Sequence, residues 1–157
     1  IGGGHHIAYF CDFTIAAEHA IFGQNGPRVG SPASGAMVSY LTRVIGAKRA
    51  REMWMLCRRY TAGQALEMGL VNAVVSMEKL DEEVGRWCRE ILALSPTCLR
   101  VLKASFVEEF SSLLGQGDQF RRFMTTRKFW EEEQQEGARA FIEKRQPDFS
   151  RFRRRQA

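Results

Sequence analysis

Between Glu18 and Glu52 the chain has no aspartate and no glutamate. That gap matters because the same stretch holds the best loop for a site. Carboxylate-pair acid–base work such as hydration needs an acid there. Cysteine is also sparse. The four residues Cys11, Cys57, Cys88 and Cys98 show no CxxC spacing and sit in apolar or helical stretches. Reduced, buried thiols are therefore expected rather than disulfides or a metal site. His5, His6 and His19 lack ligand spacing, so they read as packing or solvent-facing groups, and no metal is expected. No apolar run approaches a membrane span and no signal peptide is recognisable, which makes a cytoplasmic protein the expectation.

What is present is an ordinary globular composition. The 157 residues are 45% hydrophobic and 26% charged, enough for one domain with a real core. The net charge of +5 is uneven, with much of it in Arg58–Arg59 and in Arg151, Arg153, Arg154 and Arg155. No aromatic-interleaved basic motif accompanies the tail, so nucleic acid is not an expected partner. Two readings of these charges stay open: a solvated tail, or a surface favouring a polyanionic small molecule such as a nucleotide-bearing cofactor.

Along the chain, His5–Cys11 reads as a short buried helix. Asp12–Ala17 and Ala20–Gly23 read as short β-runs flanking a turn at Glu18-His19. Residues Gln24–Gly35 (QNGPRVGSPASG) are loop, and their place between ordered elements makes them a site candidate. Ala36–Ile45 is predicted helical and ends at Gly46, followed by a helix over Ala47–Tyr60. Thr61 caps Ala62–Met68, Gly69 stops it, and Leu70–Val75 is a β-run. From Met77 the pattern is helical: Met77–Leu94, then Pro96 in the first turn of a helix running to about Ser112. Gly115-Gln116-Gly117 interrupts, and Asp118–Trp130 with Glu131–Arg145 forms the last helical stretch, ended by Pro147. Phe120, Phe123, Met124 and Phe141 are expected in the core or at a subunit interface. The expected division is 1–76, mixed strands and helices, and 77–157, helical.

Two features bear on chemistry. Ile1-Gly2-Gly3-Gly4 lets the backbone turn sharply into a helix and present free N–H groups, a setting that attracts anions, including the oxyanion developing on a thioester carbonyl. A plain glycine loop is the alternative. A domain rarely begins inside its own glycine turn, so the chain is expected to be the C-terminal part of something longer. The second feature is the Gln24–Gly35 loop, whose groups are polar but uncharged apart from Arg28. Ser31 and Ser34 have no His/Asp partner at recognisable spacing, which disfavours a Ser-His-Asp hydrolase. Such groups hold an anion better than they remove a proton.

The run IGGGHHIAYFCDFTIAAEHAIFGQ, followed by TAGQALEMGLVNAVV, resembles the crotonase (enoyl-CoA hydratase/isomerase) superfamily. Within it, FGQNGPRVGS, GAKRAREMWMLCRRYTAGQALEMGLVN and EKRQPDFSRF resemble the 1,4-dihydroxy-2-naphthoyl-CoA synthases of menaquinone biosynthesis. The likeness spans almost the whole chain. It implies an α/β fold: the later part of the crotonase ββα spiral, followed by a helical C-terminal trimerisation region, with trimers often paired into hexamers. It implies an acyl-CoA lyase or synthase that closes the ring of o-succinylbenzoyl-CoA by an intramolecular Claisen (Dieckmann) reaction. In that chemistry a proton leaves the carbon beside the thioester, and two oxyanion N–H groups hold the resulting enolate.

The resemblance also implies roles residue by residue. Gly3, the middle glycine, supplies one oxyanion N–H. Gln24, Gly26 and Trp54 match the positions that hold a bicarbonate acting as base in one branch, where hydratases carry Glu at the position of Gly26. By itself Trp54 is a core aromatic; the match with Gln24-Asn25-Gly26 raises its interest. Phe141 and Lys144 match groups that contact coenzyme A, against helix packing and a solvated charge as plainer readings. Ser31 keeps the loop serine of the motif GS-x-D-G-G.

The chain departs from the branch at two places. Ala33 stands where the motif has its catalytic Asp, and Phe129 where a C-terminal Tyr reaches in from a neighbouring subunit. Losing one proton donor typically costs ~10²–10⁴-fold in rate. Hydrolytic ring opening of a cyclic β-keto acyl-CoA is one alternative, and a homologue that binds acyl-CoA without turnover is another.

Overall fold

A computed structural model describes residues 1–111, 122 and 125–152. The elements in chain order begin with α1 (Gly3–Phe10), β1 (Ile15–Ala17) and β2 (Ile21–Gly23). They continue with α2 (Ala36–Ile45), α3 (Ala47–Leu56), β3 (Arg59–Thr61), α4 (Ala62–Glu67) and β4 (Ala73–Val75). Then come α5 (Leu80–Leu92) and α6 (Pro96–Ser111), and a π-helical turn at Phe129–Glu133 leads into α7 (Gln134–Ile142). The architecture is mixed α/β and mostly helical. No described helix is long and apolar enough to cross a membrane.

The strands pair across the intervening helices. β1 lies parallel to β4, with Ile15 opposite Ala73, and β2 lies antiparallel to β3, with Phe22 opposite Tyr60. The turn between β1 and β2 thus separates two small sheets instead of joining one hairpin. Each amphipathic helix covers them by its i, i+4 spacing. In α1 the buried pair is His5 and Tyr9, in α2 it is Leu41 and Ile45, and α3 adds Ala50, Met53 and Trp54. Leu41 and Met53 are fully buried. Tyr9 also donates its hydroxyl to the Met37 carbonyl at 2.6 Å, which ties α1 to α2.

Several boundaries differ from expectation. The helix predicted over Ala47–Tyr60 stops at Leu56, because Cys57 takes a left-handed φ of 53°. Arg58 then folds back onto Glu52 at 2.7 Å, and Tyr60 donates to the same carboxylate at 2.9 Å from within β3. Helix α1 is buried on one stripe only; Ile7 is 70% exposed. Of the cysteines only Cys57 is buried; Cys11, Cys88 and Cys98 are exposed free thiols, because they lie at the end of α1 and on the outer faces of α5 and α6. Thr61 does cap α4, through a reciprocal capping box with Gln64. The predicted break at Gly115-Gln116-Gly117, the core assignments of Phe120, Phe123 and Met124, and Arg153–Arg155 lie outside the described residues.

Candidate active site

The Gln24–Gly35 loop is folded on two adjacent carbonyls: Asn25 O accepts from Arg28 N–H at 3.1 Å, and Gly26 O gathers two more donors. Gly26 O accepts from Val29 N–H at 3.1 Å and from Ser31 N–H at 2.9 Å, around a 3₁₀ turn at Gly26–Arg28. This draws Gly26 under Ser31 and against Trp54 of α3. A Cβ at position 26 would lie 2.7 Å from the Ser31 carbonyl oxygen and 3.9 Å from the Trp54 ring. A side chain there, the Glu of hydratases included, requires the loop to move. Trp54 is 7% exposed, and its indole Nε1 is buried with no hydrogen-bond partner among the described residues. Buried N–H donors are rarely left unpaired, so this one calls for an acceptor.

Behind the loop lies an aromatic and imidazole cluster. His5 is 2% exposed; its Nδ1 sits 3.1 Å from the Gly23 carbonyl and 3.2 Å from the Gln24 amide nitrogen. One proton on Nδ1 satisfies Gly23, and the same nitrogen then needs an acceptor from Gln24. Turning the Gln24 amide end for end supplies it, with the amide NH₂ donating to His6 Nε2, at 3.0 Å from the amide's other end. Burial pushes His5 down to about 4, opposed by the Gly23 bond and reinforced by the N-terminal amine and His6. His5 is accordingly a neutral structural imidazole. The structure brings Gly26 and Trp54 together, whereas the Gln24 amide is engaged by the two histidines.

Two cavities meet at Ser31. One, of about 480 Å³, is lined by Ser31, Ala33, Trp54, Phe129 and Glu133 among others. The second, of about 650 Å³, includes Gly2, Asn25, Ser31, Arg59 and Phe141 in its lining. Gly3 follows Gly2 in the first turn of α1, where an N–H has no intrahelical acceptor, and the space beside its Cα is open. Phe141 is 67% exposed, not core, and lies at the second cavity. Lys144 is exposed just past α7 in a left-handed conformation, φ 53°, and lines neither cavity.

Helix α7 closes the first cavity by backbone contact. A Cβ at Gly137 would stand 2.5 Å from the Gly30 nitrogen and 2.6 Å from the Val29 carbonyl oxygen. A Cβ at Gly30, itself at φ +66°, would meet the Gln134 Cα at 2.8 Å. Only two glycines permit this seam. It delivers Phe129 to Ala33 from the same chain, where the resemblance implied a neighbouring subunit. It also delivers Glu133, a carboxylate that the acid-free loop gave no reason to expect. The one cue in the sequence was Gly137, an isolated glycine within a helical pattern, which signals close packing.

A partly buried ion pair fixes the tail that follows. Glu136, 7% exposed, receives Arg145 Nη1 at 2.6 Å and Nη2 at 3.2 Å, and the Asp148 N–H at 2.9 Å. This bidentate clamp turns the chain back so that Phe149 and Phe152 wall the first cavity. Among the described residues, no group of three His, Cys, Asp or Glu side chains could hold a metal ion.

A sequence profile of the enoyl-CoA hydratase/isomerase family matches residues 1–152, and the chain belongs to that family, the crotonase superfamily. Among solved structures it is similar to methylmalonyl-CoA decarboxylase in complex with 2-nitronate-propionyl-CoA, at 29% identity and a TM-score of 0.82. That match covers 94% of this chain and 58% of the decarboxylase. An enoyl-CoA hydratase from Mycobacterium avium subsp. paratuberculosis K-10 is 26% identical, with a TM-score of 0.78 over 94% of this chain and 60% of that one. An enoyl-CoA hydratase subunit I from Geobacillus kaustophilus HTA426 is 38% identical, with a TM-score of 0.64 over 94% and 58% of the two chains. The chain therefore spans less than two thirds of the length of these relatives.

Proposed function

We propose that the chain forms part of an acyl-CoA enzyme that generates an enolate beside the thioester, with ring closure of o-succinylbenzoyl-CoA as the reaction. The observation that carries the reading is the unpartnered buried Trp54 N–H beside Gly26, at a cavity shared with Ser31. Gly26 leaves no room for a hydratase-type glutamate, and the indole N–H offers a donor to an anion. Bicarbonate fits that position by charge and size, held by Trp54 and the Gly26 backbone, and would supply a base there. Gln24 would act from behind, its amide positioned by His5 and His6. Gly3 would donate to the thioester oxyanion, Phe141 would face coenzyme A along the second cavity, and Lys144, outside that cavity just past α7, would meet the cofactor's phosphates from solvent.

A homotrimer or hexamer and a cytoplasmic location are part of the same reading. The apolar side chains that α5 and α6 expose, Leu92, Val101, Leu102 and Phe106, support the oligomer. The relatives' names, a decarboxylase and hydratases acting on CoA thioesters, support the substrate class. A second reading has its own observation: Ala33 and Phe129, at the positions of the branch's Asp and Tyr, face the same cavity and neither carries a proton-donating group, which suits an acyl-CoA binder without turnover.

The test is turnover of o-succinylbenzoyl-CoA with and without added bicarbonate. Bicarbonate-dependent naphthoyl-CoA formation is expected. Saturable binding of the thioester with no product would replace the synthase reading by the binding one.

A further inference from the structure

Among the described residues the pocket is lined by one carboxylate, and its surroundings differ from those of Glu131 and Glu136 on the same segment. Glu131 is paired with Arg127 at 2.6 Å, and Glu136 is clamped by Arg145. Glu133 is half-buried, lines the cavity with Ser31, Ala33 and Trp54, and has no hydrogen bond or ion pair among the described residues. Among the described residues, no lysine, arginine or histidine lines that cavity to neutralise it.

Its position is also fixed. Glu133 ends the π-helical turn Phe129–Glu133, and its carbonyl oxygen stands 3.2 Å from where a Gly30 Cβ would be. The backbone on both sides of the seam is thus interlocked. π-Helices are rare and are found mostly as single turns inside α-helices, frequently at functional sites. Here the π-turn sets Phe129 and Glu133 on the same cavity, opposite the gap left by Ala33.

We propose that Glu133 is a second catalytic base of this pocket, separate from the bicarbonate that serves ring closure, and that it moves the proton on the carbon beside the thioester of a bound acyl-CoA even when no bicarbonate is present. The assignment rests on the acyl-CoA reading of the site. The carbon–hydrogen bond breaks, its electron pair enters the thioester as an enolate, and the proton goes to a Glu133 carboxylate oxygen. The resulting carboxylic acid exchanges with solvent and returns a proton to the carbon, which restores the thioester. No oxidant or further reactant is needed. Glu133 thereby supplies acid–base capacity that the Gln24–Gly35 loop lacks.

The experiment is exchange of the α-protons of phenylacetyl-CoA in D₂O, followed by NMR on the full chain without bicarbonate. Binding is read in parallel from tryptophan fluorescence. The unaltered chain is expected to exchange, Glu133→Gln to lose ~10²-fold or more at unchanged binding, and Glu133→Asp to recover part of the rate. Circular dichroism checks that both variants are folded. Exchange in Glu133→Gln at the unaltered rate overturns the proposal, as does an unaltered chain that binds the thioester but exchanges only with bicarbonate or not at all. In those cases binding leaves the acyl-CoA reading standing. Absence of binding by the unaltered chain overturns both.

Discussion

The first 76 residues and the α5–α6 pair use similar amounts of apolar sequence to opposite ends. In the first region Tyr9, Phe22, Leu41, Met53, Trp54 and Val71 form one buried cluster. Helices α5 and α6 bury no residue completely among those described, and they leave Leu92, Val101, Leu102 and Phe106 largely in solvent. They are held to the rest by few contacts, such as the Phe13–Trp87 edge contact with centroids 5.4 Å apart and the exposed Lys103–Asp12 pair. Exposed pairs of that kind add little stability. The lesson is that the site owes its shape to the first region and to α7, which packs on the loop although the α5–α6 pair lies between them in sequence.

The sharpest way to break that arrangement is to fill the seam. Gly137→Ala would gain about 1 kcal/mol in a free helix by propensity. Against the Val29–Gly30 backbone it is expected to cost about 3 kcal/mol or more, because neither neighbour is a flexible side chain. Urea denaturation measures the loss, and tryptophan fluorescence should report Trp54 losing its cover.

A smaller effect tests the first region alone. The folded His5 titrates near 4 against 6.5 for the free side chain, so the unfolded chain binds the extra proton first. Stability contributed by the neutral, buried form is present above about pH 6.5 and lost as pH falls towards about 4. The expected loss between about pH 6.5 and pH 4.5 is about 2 kcal/mol, read from denaturant midpoints across that range. His5→Gln should flatten that slope; a slope unchanged in the variant would assign the acid sensitivity elsewhere.

The smallest effect belongs to the other side of the comparison. Phe106→Ser on α6 should shift monomer stability by no more than about 0.5 kcal/mol, since the ring is 65% exposed. If copies of the chain assemble through this face, the same change should reduce the assembled fraction in sedimentation while leaving the denaturation midpoint of the single chain in place.

Much of the first region could be read in advance because its signals are local. Gly46 and the Thr61 cap mark helix ends by backbone chemistry that acts within four residues. The loop at Gln24–Gly35 is legible from its glycines and prolines. The end of α3 was not, since Cys57 turns left-handed only because Tyr60 is drawn into pairing with Phe22. Gly26 and Trp54 could be connected through resemblance, while spacing alone left Trp54 an ordinary core aromatic. Glu133 was invisible for a different reason: its distance in sequence from Ser31 carries no periodicity, and only the glycine seam brings the two to one cavity.

That seam also dictates an order of assembly. Gly137 meets Val29 across roughly a hundred residues of chain, a contact whose closure entropy must be met after the local helices exist. During synthesis the loop and Trp54 therefore emerge and fold with their cavity open on one side, and the wall bearing Phe129 and Glu133 arrives only with the stretch that carries α7. A nascent chain in which Gly137 has not yet docked would hold the anion-facing tryptophan without the carboxylate beside it, so acid–base capacity would arrive with the closing of the seam and not with the folding of the loop.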